Sequence, residues 1–306
     1  MHAAIEPPVP ELDEQSIAAD KSIAQLRALA RQAWAIPGPD DKCAIVDRIA
    51  KRLAQPSGSV PGPQQEGRGL VCQPDRMHAQ SCVSGQTDDV PGRPLQPRLV
   101  QPAQLPQRSM ASAEGRAALL HAIAHIEFNA VNLALDAAWR FERMPAQFCL
   151  DWLSVAVDEA RHFMMIEGLL RSRGYRYGDF DAHDGLWEMA ERTRGDVLER
   201  MALVPRVLEA RGLDATPQIQ AKLRQVGDQQ AADALEVILS EEVRHVALGN
   251  RWFEALCAER GVQPRVFFLQ AMRTHRAPRL RGRINREARI AAGFSDSELD
   301  ELLASP

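Results

Sequence analysis

Apolar residues recur every three to four positions over most of this chain, and that spacing predicts helices rather than strands. The N-terminal region reads as two helices. The first covers Glu14 to Trp34; Pro37-Gly38-Pro39 interrupts it, and the second begins near Asp40 or Asp41 with Ile45, Ile49 and Leu53 four apart. Residues 56 to about 108 lose the period entirely and are rich in Pro, Gly, Gln and Ser, which predicts an irregular or disordered connector partly extended over the surface. Helical texture returns at Ser112. One long helix runs from Glu114 to Phe141, and a second follows Pro145 and stops at Gly174. A third is predicted from Gly185 to Gly212, with a kink or local bulge at Pro205. Thr216-Pro217 is expected to open a short helix, and Asp228 to start a fourth long helix ending at Gly261. Ser295 and Glu298 have capping-box spacing before a last short helix. The organisation expected is an N-terminal helical region (1–55), a connector (56–110) and a helical bundle with an arginine-rich extension (111–306). The fold class is all-α.

Composition narrows this only slightly. Among 306 residues, 45% are hydrophobic, 25% charged and 5% aromatic, and the net charge is -4, values that give no reason to expect general nucleic-acid or membrane binding. No stretch approaches the roughly 18 uncharged apolar residues of a membrane helix. The N-terminus lacks the basic start and apolar run of a secretion signal, so a cytoplasmic location is expected. Five cysteines, none in CxxC spacing, argue against a disulfide framework, a zinc ribbon or a rubredoxin-type iron centre.

The chemistry lies in a repeat. The second long helix contains Glu159-Ala160-Arg161-His162, and the fourth contains Glu242-Val243-Arg244-His245. A Glu and a His three apart share one helical face and can reach one metal ion. Each pair has an acid on the preceding helix at nearly the same interval, Glu127 for the first and Glu209 for the second, with Glu199 as a nearby competitor for Glu209. One Glu from each of two helices plus Glu-x-x-His from two others is the ligand set of ferritin-like di-metal carboxylate bundles. Four carboxylates and two imidazoles without thiolates favour two iron ions, or manganese, over zinc or copper. Glu159 and Glu242 are the expected bridging ligands. The remaining features admit structural readings. His121 and His125 are expected to be hydrogen-bonded packing residues, and Arg161 and Arg244 to form outer-sphere or interhelical ion pairs. Trp139, Trp152, Trp187 and Trp252 are core anchors. The seven arginines between Arg273 and Arg289 either contact phosphate or hold a tail docked through Leu280, Ile284, Ile290 and Phe294; docking is the favoured reading.

The segment GRAALLHAIAHIEFNAVNLALDAAWRF, the two E-x-R-H hairpins and the tail APRLRGRINREARIAAGF resemble a bacterial ferritin-like family, domain of unknown function 455. The likeness covers Ser112 to Leu303, with weaker support from the N-terminal helices. It implies a ferritin-like four-helix bundle with extra N-terminal helices, a C-terminal wrapping segment and a metal site. More distantly the arrangement is similar to di-iron tRNA hydroxylases. The expectation is an oxidoreductase that activates dioxygen or peroxide on a small-molecule or RNA substrate, fed by an external electron donor. The alternatives are a non-enzymatic metal-binding or storage protein and an RNA-modifying hydroxylase. A homodimer stays open.

Overall fold

A computed structural model describes residues 14–54, 90–280 and 282–304, and the stretch expected to be disordered up to residue 89 lies outside the described residues. The described residues form helices α1 (Glu14–Ala35), α2 (Pro39–Leu53), α3 (Ala113–Arg140), α4 (Ala146–Ser172), α5 (Gly185–Arg192), α6 (Val197–Leu203), α7 (Ala210–Gln225), α8 (Gln229–Glu259), α9 (Pro264–Thr274), α10 (Arg286–Ala291) and α11 (Asp296–Ala304). No strand occurs among them, so the fold is all-α; one isolated backbone bridge joins Leu99 and Ala182.

Local chemistry explains where the helices start. Ser112 accepts a hydrogen bond from the Gly115 amide at 3.0 Å, Asp228 from Ala231 at 3.2 Å, and Ser295 from Glu298 at 3.2 Å. Each oxygen satisfies an amide that would otherwise lack a partner in the first turn. α3 and α4 form an antiparallel hairpin, α7 lies along α8, and α4 meets α8, which brings the two hairpins together. α1 packs on α3 and α2 on α4, burying Leu26, Ala30, Trp34, Val46 and Ile49 in the same core. Arg27 fastens this layer by donating to the carbonyls of Ala138, Phe141 and Met144 at the end of α3.

The third long helix differs from expectation. It is broken at Thr193–Asp196, where Asp196 caps α6; the local bulge expected at Pro205 is present, as a π-helical turn over Val204–Glu209 before the chain continues as α7. Pro205 has no amide hydrogen to close the normal turn, and the wider turn absorbs that loss. α7 then runs past Gly212 and Pro217 to Gln225, so Thr216-Pro217 opens no separate helix. Packing of Leu213, Gln220 and Leu223 overrides the local proline signal. Gly249 of α8 allows the close approach: a Cβ there would lie 2.3 Å from the Cβ of Pro205.

α3 is the one described helix long and apolar enough to cross a membrane, though Glu127 and Asp136 interrupt its apolar run; 78% of its most apolar stretch is buried inside the protein, which accounts for its apolarity. The C-terminal segment wraps onto α7 and α8. Phe294, Ala292 and Leu299 bury against Leu213 and Val246. Of the expected docking residues, Phe294 is buried, Leu280 and Ile284 are half-buried, and Ile290 is exposed. Ile290 drops out because the inward position of α10 is taken by Arg289, which binds Asp214 at 2.6 Å and the Ala210 carbonyl at 3.1 Å.

Candidate metal centre

The hairpin α3–α4 contributes Glu127, Glu159 and His162; the π turn and α8 contribute Glu209, Glu242 and His245. All six are buried. His162 Nδ1 lies 3.2 Å from Glu159 Oε2 and 3.3 Å from Glu127 Oε2. His245 Nδ1 lies 2.9 Å from Glu159 Oε1 and 3.3 Å from Glu242 Oε2. Glu159 therefore stands between the two half-sites with one oxygen toward each imidazole. Glu127, Glu159 and His162 form one triad with ligand atoms within 4.8 Å of one another, and Glu159, Glu242 and His245 form the other. Only Glu159 is shared between the two groups. Glu209 belongs to neither triad, though its buried carboxyl group feels both Glu242 and Glu159.

The electrostatics are those of a cavity short of positive charge. Burial, reinforced by Glu159 and Glu242, pushes Glu127 up to about 8 despite His162. Burial and the neighbouring carboxylates also raise Glu209 and Glu242. Burial would raise Glu159 too, but His245 and His162 outweigh it and hold Glu159 below the usual carboxylate range. Burial disfavours a charged His162, yet Glu127 and Glu159 drive it up to about 10, and His245 rises for the same reason beside Glu159 and Asp158. Glu209 Oε2 is buried without a partner, while Glu127 Oε2, Glu159 Oε1 and Glu242 Oε2 are buried and met only by the imidazole Nδ1 atoms, as ion pairs. Buried unpaired carboxylate oxygens are costly, and cations coordinated between them would remove that cost. The donor set therefore fits two divalent ions, whose four charges the four carboxylates balance.

An outer ring of residues, not singled out from the sequence, holds the imidazoles. Glu241 Oε2 lies 2.7 Å from His162 Nε2, and Asp158 Oδ2 lies 3.2 Å from His245 Nε2. Each acid directly precedes a candidate ligand on its own helix and reaches across to the histidine of the other helix. With Nε2–H donating outward, Nδ1 is the atom that faces the carboxylates. Arg161 donates to Asp158 and Glu241, and Arg244 donates to Asp158 and to Ser154 Oγ. The signal was available: the repeat is five residues long, acid-Glu-x-Arg-His, rather than four.

The competing candidates sort cleanly. Glu199 pairs with His275 at 3.0 Å, whereas Glu209 is the acid of the third helix that is buried and feels the carboxylates of the cluster. His121 Nε2 accepts from the Gly178 amide at 3.0 Å, and His125 is bonded to the Tyr177 hydroxyl at 2.8 Å, so both are packing residues as expected. Trp152 and Trp187 are buried core anchors, and Trp252 donates to Asp151.

Fold and site together define an all-α protein with a buried carboxylate–histidine cluster able to hold metal. Residues 35–300 match the family described as protein of unknown function (DUF455), and the chain belongs to it. It is 51% identical over 220 residues to an uncharacterized protein of Haemophilus influenzae, covering 70% of this chain and 76% of that one. No solved structure matches the chain.

Proposed function

We propose that this protein is a ferritin-like di-metal carboxylate oxidoreductase that holds two iron ions, with manganese as the alternative metal, through Glu127, Glu159, His162, Glu209, Glu242 and His245. The observation that carries the reading is a buried cluster of four carboxylates with only two imidazoles among them, all contributed by the doubled Glu-x-x-His and its two partner acids. Two bound irons would supply redox chemistry toward dioxygen or peroxide. The chain's own part is to fix geometry and exclude water. Glu241 and Asp158 orient the imidazoles, and Arg161 and Arg244 restrain those acids across the α4–α8 contact. Val131 and Val246, each one turn beyond a candidate ligand on its helix, are buried and apolar. The substrate is a small molecule or an RNA, electrons come from an external donor, and the cytoplasm is the place of action.

Anaerobic loading with ferrous iron followed by metal analysis tests the centre, and dioxygen consumption with a chemical reductant tests the activity. The reading expects close to two irons per chain, and reductant-dependent dioxygen uptake that His162→Ala abolishes. Absence of bound iron and manganese in folded protein would rule out the centre. Uptake of many irons per chain without reductant turnover would make the protein a store instead.

A further inference from the structure

Residues 92–100 form an arch over the face of α3 turned away from the metal centre. Both ends of the arch are tied down. The Gly92 amide donates to the Trp34 carbonyl at 2.9 Å, and a Cβ at Gly92 would meet the Ala35 carbonyl oxygen at 2.1 Å, so only glycine fits there. At the other end Val100 donates to Ala182 at 2.8 Å and Ala182 donates to Arg98 at 3.0 Å. Between these ties the chain does not fill the space beneath it. A cavity of about 410 Å³ remains, lined by His125, Phe128 and Asn129 of α3, by Tyr177, and by Arg93 and Arg98 with the rest of the arch. His125 and Asn129 are each two positions from Glu127, roughly 160° around the helix, so this hollow is distinct from the metal centre. The hollow opens to solvent beside Leu95, and its size falls in the range of about 300–1,000 Å³ typical of small-molecule sites.

The lining has a specific chemistry. Tyr177 stacks on His125 at 6.0 Å between ring centroids and leans on Phe128 at 5.5 Å, which makes a continuous wall of rings. Two guanidinium groups line the cavity and no carboxylate does. Their partners, Asp184 for Arg93 at 2.6 Å and Asp181 for Arg98 at 2.6 Å, stand outside the lining. The Arg93 guanidinium also donates to Asn129 Oδ1 at 3.4 Å, which holds it at the cavity wall. We propose that this cavity is a binding site for a small organic anion carrying a flat ring, of which an aromatic carboxylate is the simplest example. The ring lies against the half-buried Tyr177, and the anion meets the Arg93 and Arg98 guanidinium groups at the arch.

Calorimetric titration of the full chain with indole-3-carboxylate, and with indole-3-carboxamide as the neutral control, tests this. It is run on both chelator-treated and iron-loaded protein. The carboxylate should bind one-to-one in both forms, roughly ten-fold or more tighter than the amide, because a charge-assisted contact is lost in the amide. Arg93→Gln should abolish binding. Since Arg93 also pairs with Asp184, the second variant is Leu95→Asp, at a rim residue 97% exposed. It should leave the melting temperature unchanged and weaken the carboxylate about five-fold by placing a like charge at the mouth. The proposal is overturned by no binding at ligand concentrations on the order of 1 mM. It is equally overturned if the amide binds as well as the carboxylate, if Leu95→Asp has no effect, or if binding appears only with iron bound.

Discussion

Glu159 is the one candidate ligand that touches both imidazoles, with Oε2 toward His162 and Oε1 toward His245, while Glu209 stands outside both triads. Substitution should separate them: Glu159→Gln is expected to release both metals, and Glu209→Gln no more than one, read by metal analysis of folded protein. Equal losses in the two variants would mean that the half-sites are not joined through Glu159. A second outcome concerns His121. Burial pushes its pKa down to about 4, and the Gly178 amide donates to its neutral ring. In the unfolded chain the ordinary value is about 6.5, so the unfolded state binds the extra proton first as pH falls. The stabilising contribution is present above about 6.5 and drains away toward pH 4, by on the order of 3 kcal/mol. Denaturant titrations from pH 7 to pH 4 should show this loss, and His121→Gln should remove that part of the slope. Glu159, His162, Glu242 and His245 could be proposed because three-residue spacing on a helix is a strict geometric statement, and Glu127 and Glu209 because each stands at nearly the same interval ahead of its pair. Asp158 and Glu241 were not, because they act across to the facing helix, and which residues face each other between helices is not written in either helix alone.

At the level of elements, the π turn at Val204–Glu209 decides where the fourth carboxylate goes. Pro205 announced a disturbance from the sequence, but not whether the helix would kink, break or widen. The answer depends on α8, whose Gly249 lets its backbone close on Pro205. Gly249→Ala should therefore cost about 1–3 kcal/mol by overpacking, measured by urea denaturation, and should lower metal content by displacing Glu209. Pro205→Ala should act differently. It restores an amide that favours an ordinary α-helical turn and rotates Glu209 by roughly 100°, so metal content is expected to fall while stability holds or rises. Retention of two metals by Pro205→Ala would show that the π turn is not what aims Glu209. The break at Thr193–Asp196 escaped detection for another reason. No apolar residue falls between Ala190 and Val197, and Gly195-Asp196 sets a helix breaker before a cap, Asp196 accepting from Leu198 at 2.7 Å, but the strong apolar spacing on either side masked both signals.

For the whole molecule, the arginine-rich tail is where two accounts of the protein diverge most. The structure fastens it through one face. Arg289, 2% exposed, binds Asp214 of α7; Phe294 lies 4.9 Å from the guanidinium of Arg206 and 5.2 Å from that of Arg289; and Glu298 of α11 pairs with Arg206. The sequence pointed to apolar docking, and the centre of the contact is instead a buried arginine beside a phenylalanine. Phe294→Ser should therefore destabilise the protein by about 3–5 kcal/mol through loss of a buried ring. Arg289→Ala should cost a similar amount, because it leaves Asp214 partly buried and unpaired. Arg279 and Arg283 are exposed, and their replacement by Gln should change stability by less than about 0.5 kcal/mol. An RNA-binding tail sorts these residues in another way. Arg279→Gln with Arg283→Gln would then abolish a tRNA association whose log K falls linearly with log salt, while leaving the melting temperature alone. Thermal melts and tRNA titrations at two salt concentrations, made on the same three proteins, distinguish the accounts. Docking as the tail's main role expects the melts to move with Phe294 and Arg289 and the tRNA titrations to stay flat for parent and variants alike. Tight, salt-sensitive tRNA binding by the parent that only the exposed-arginine variant loses would assign the tail to RNA.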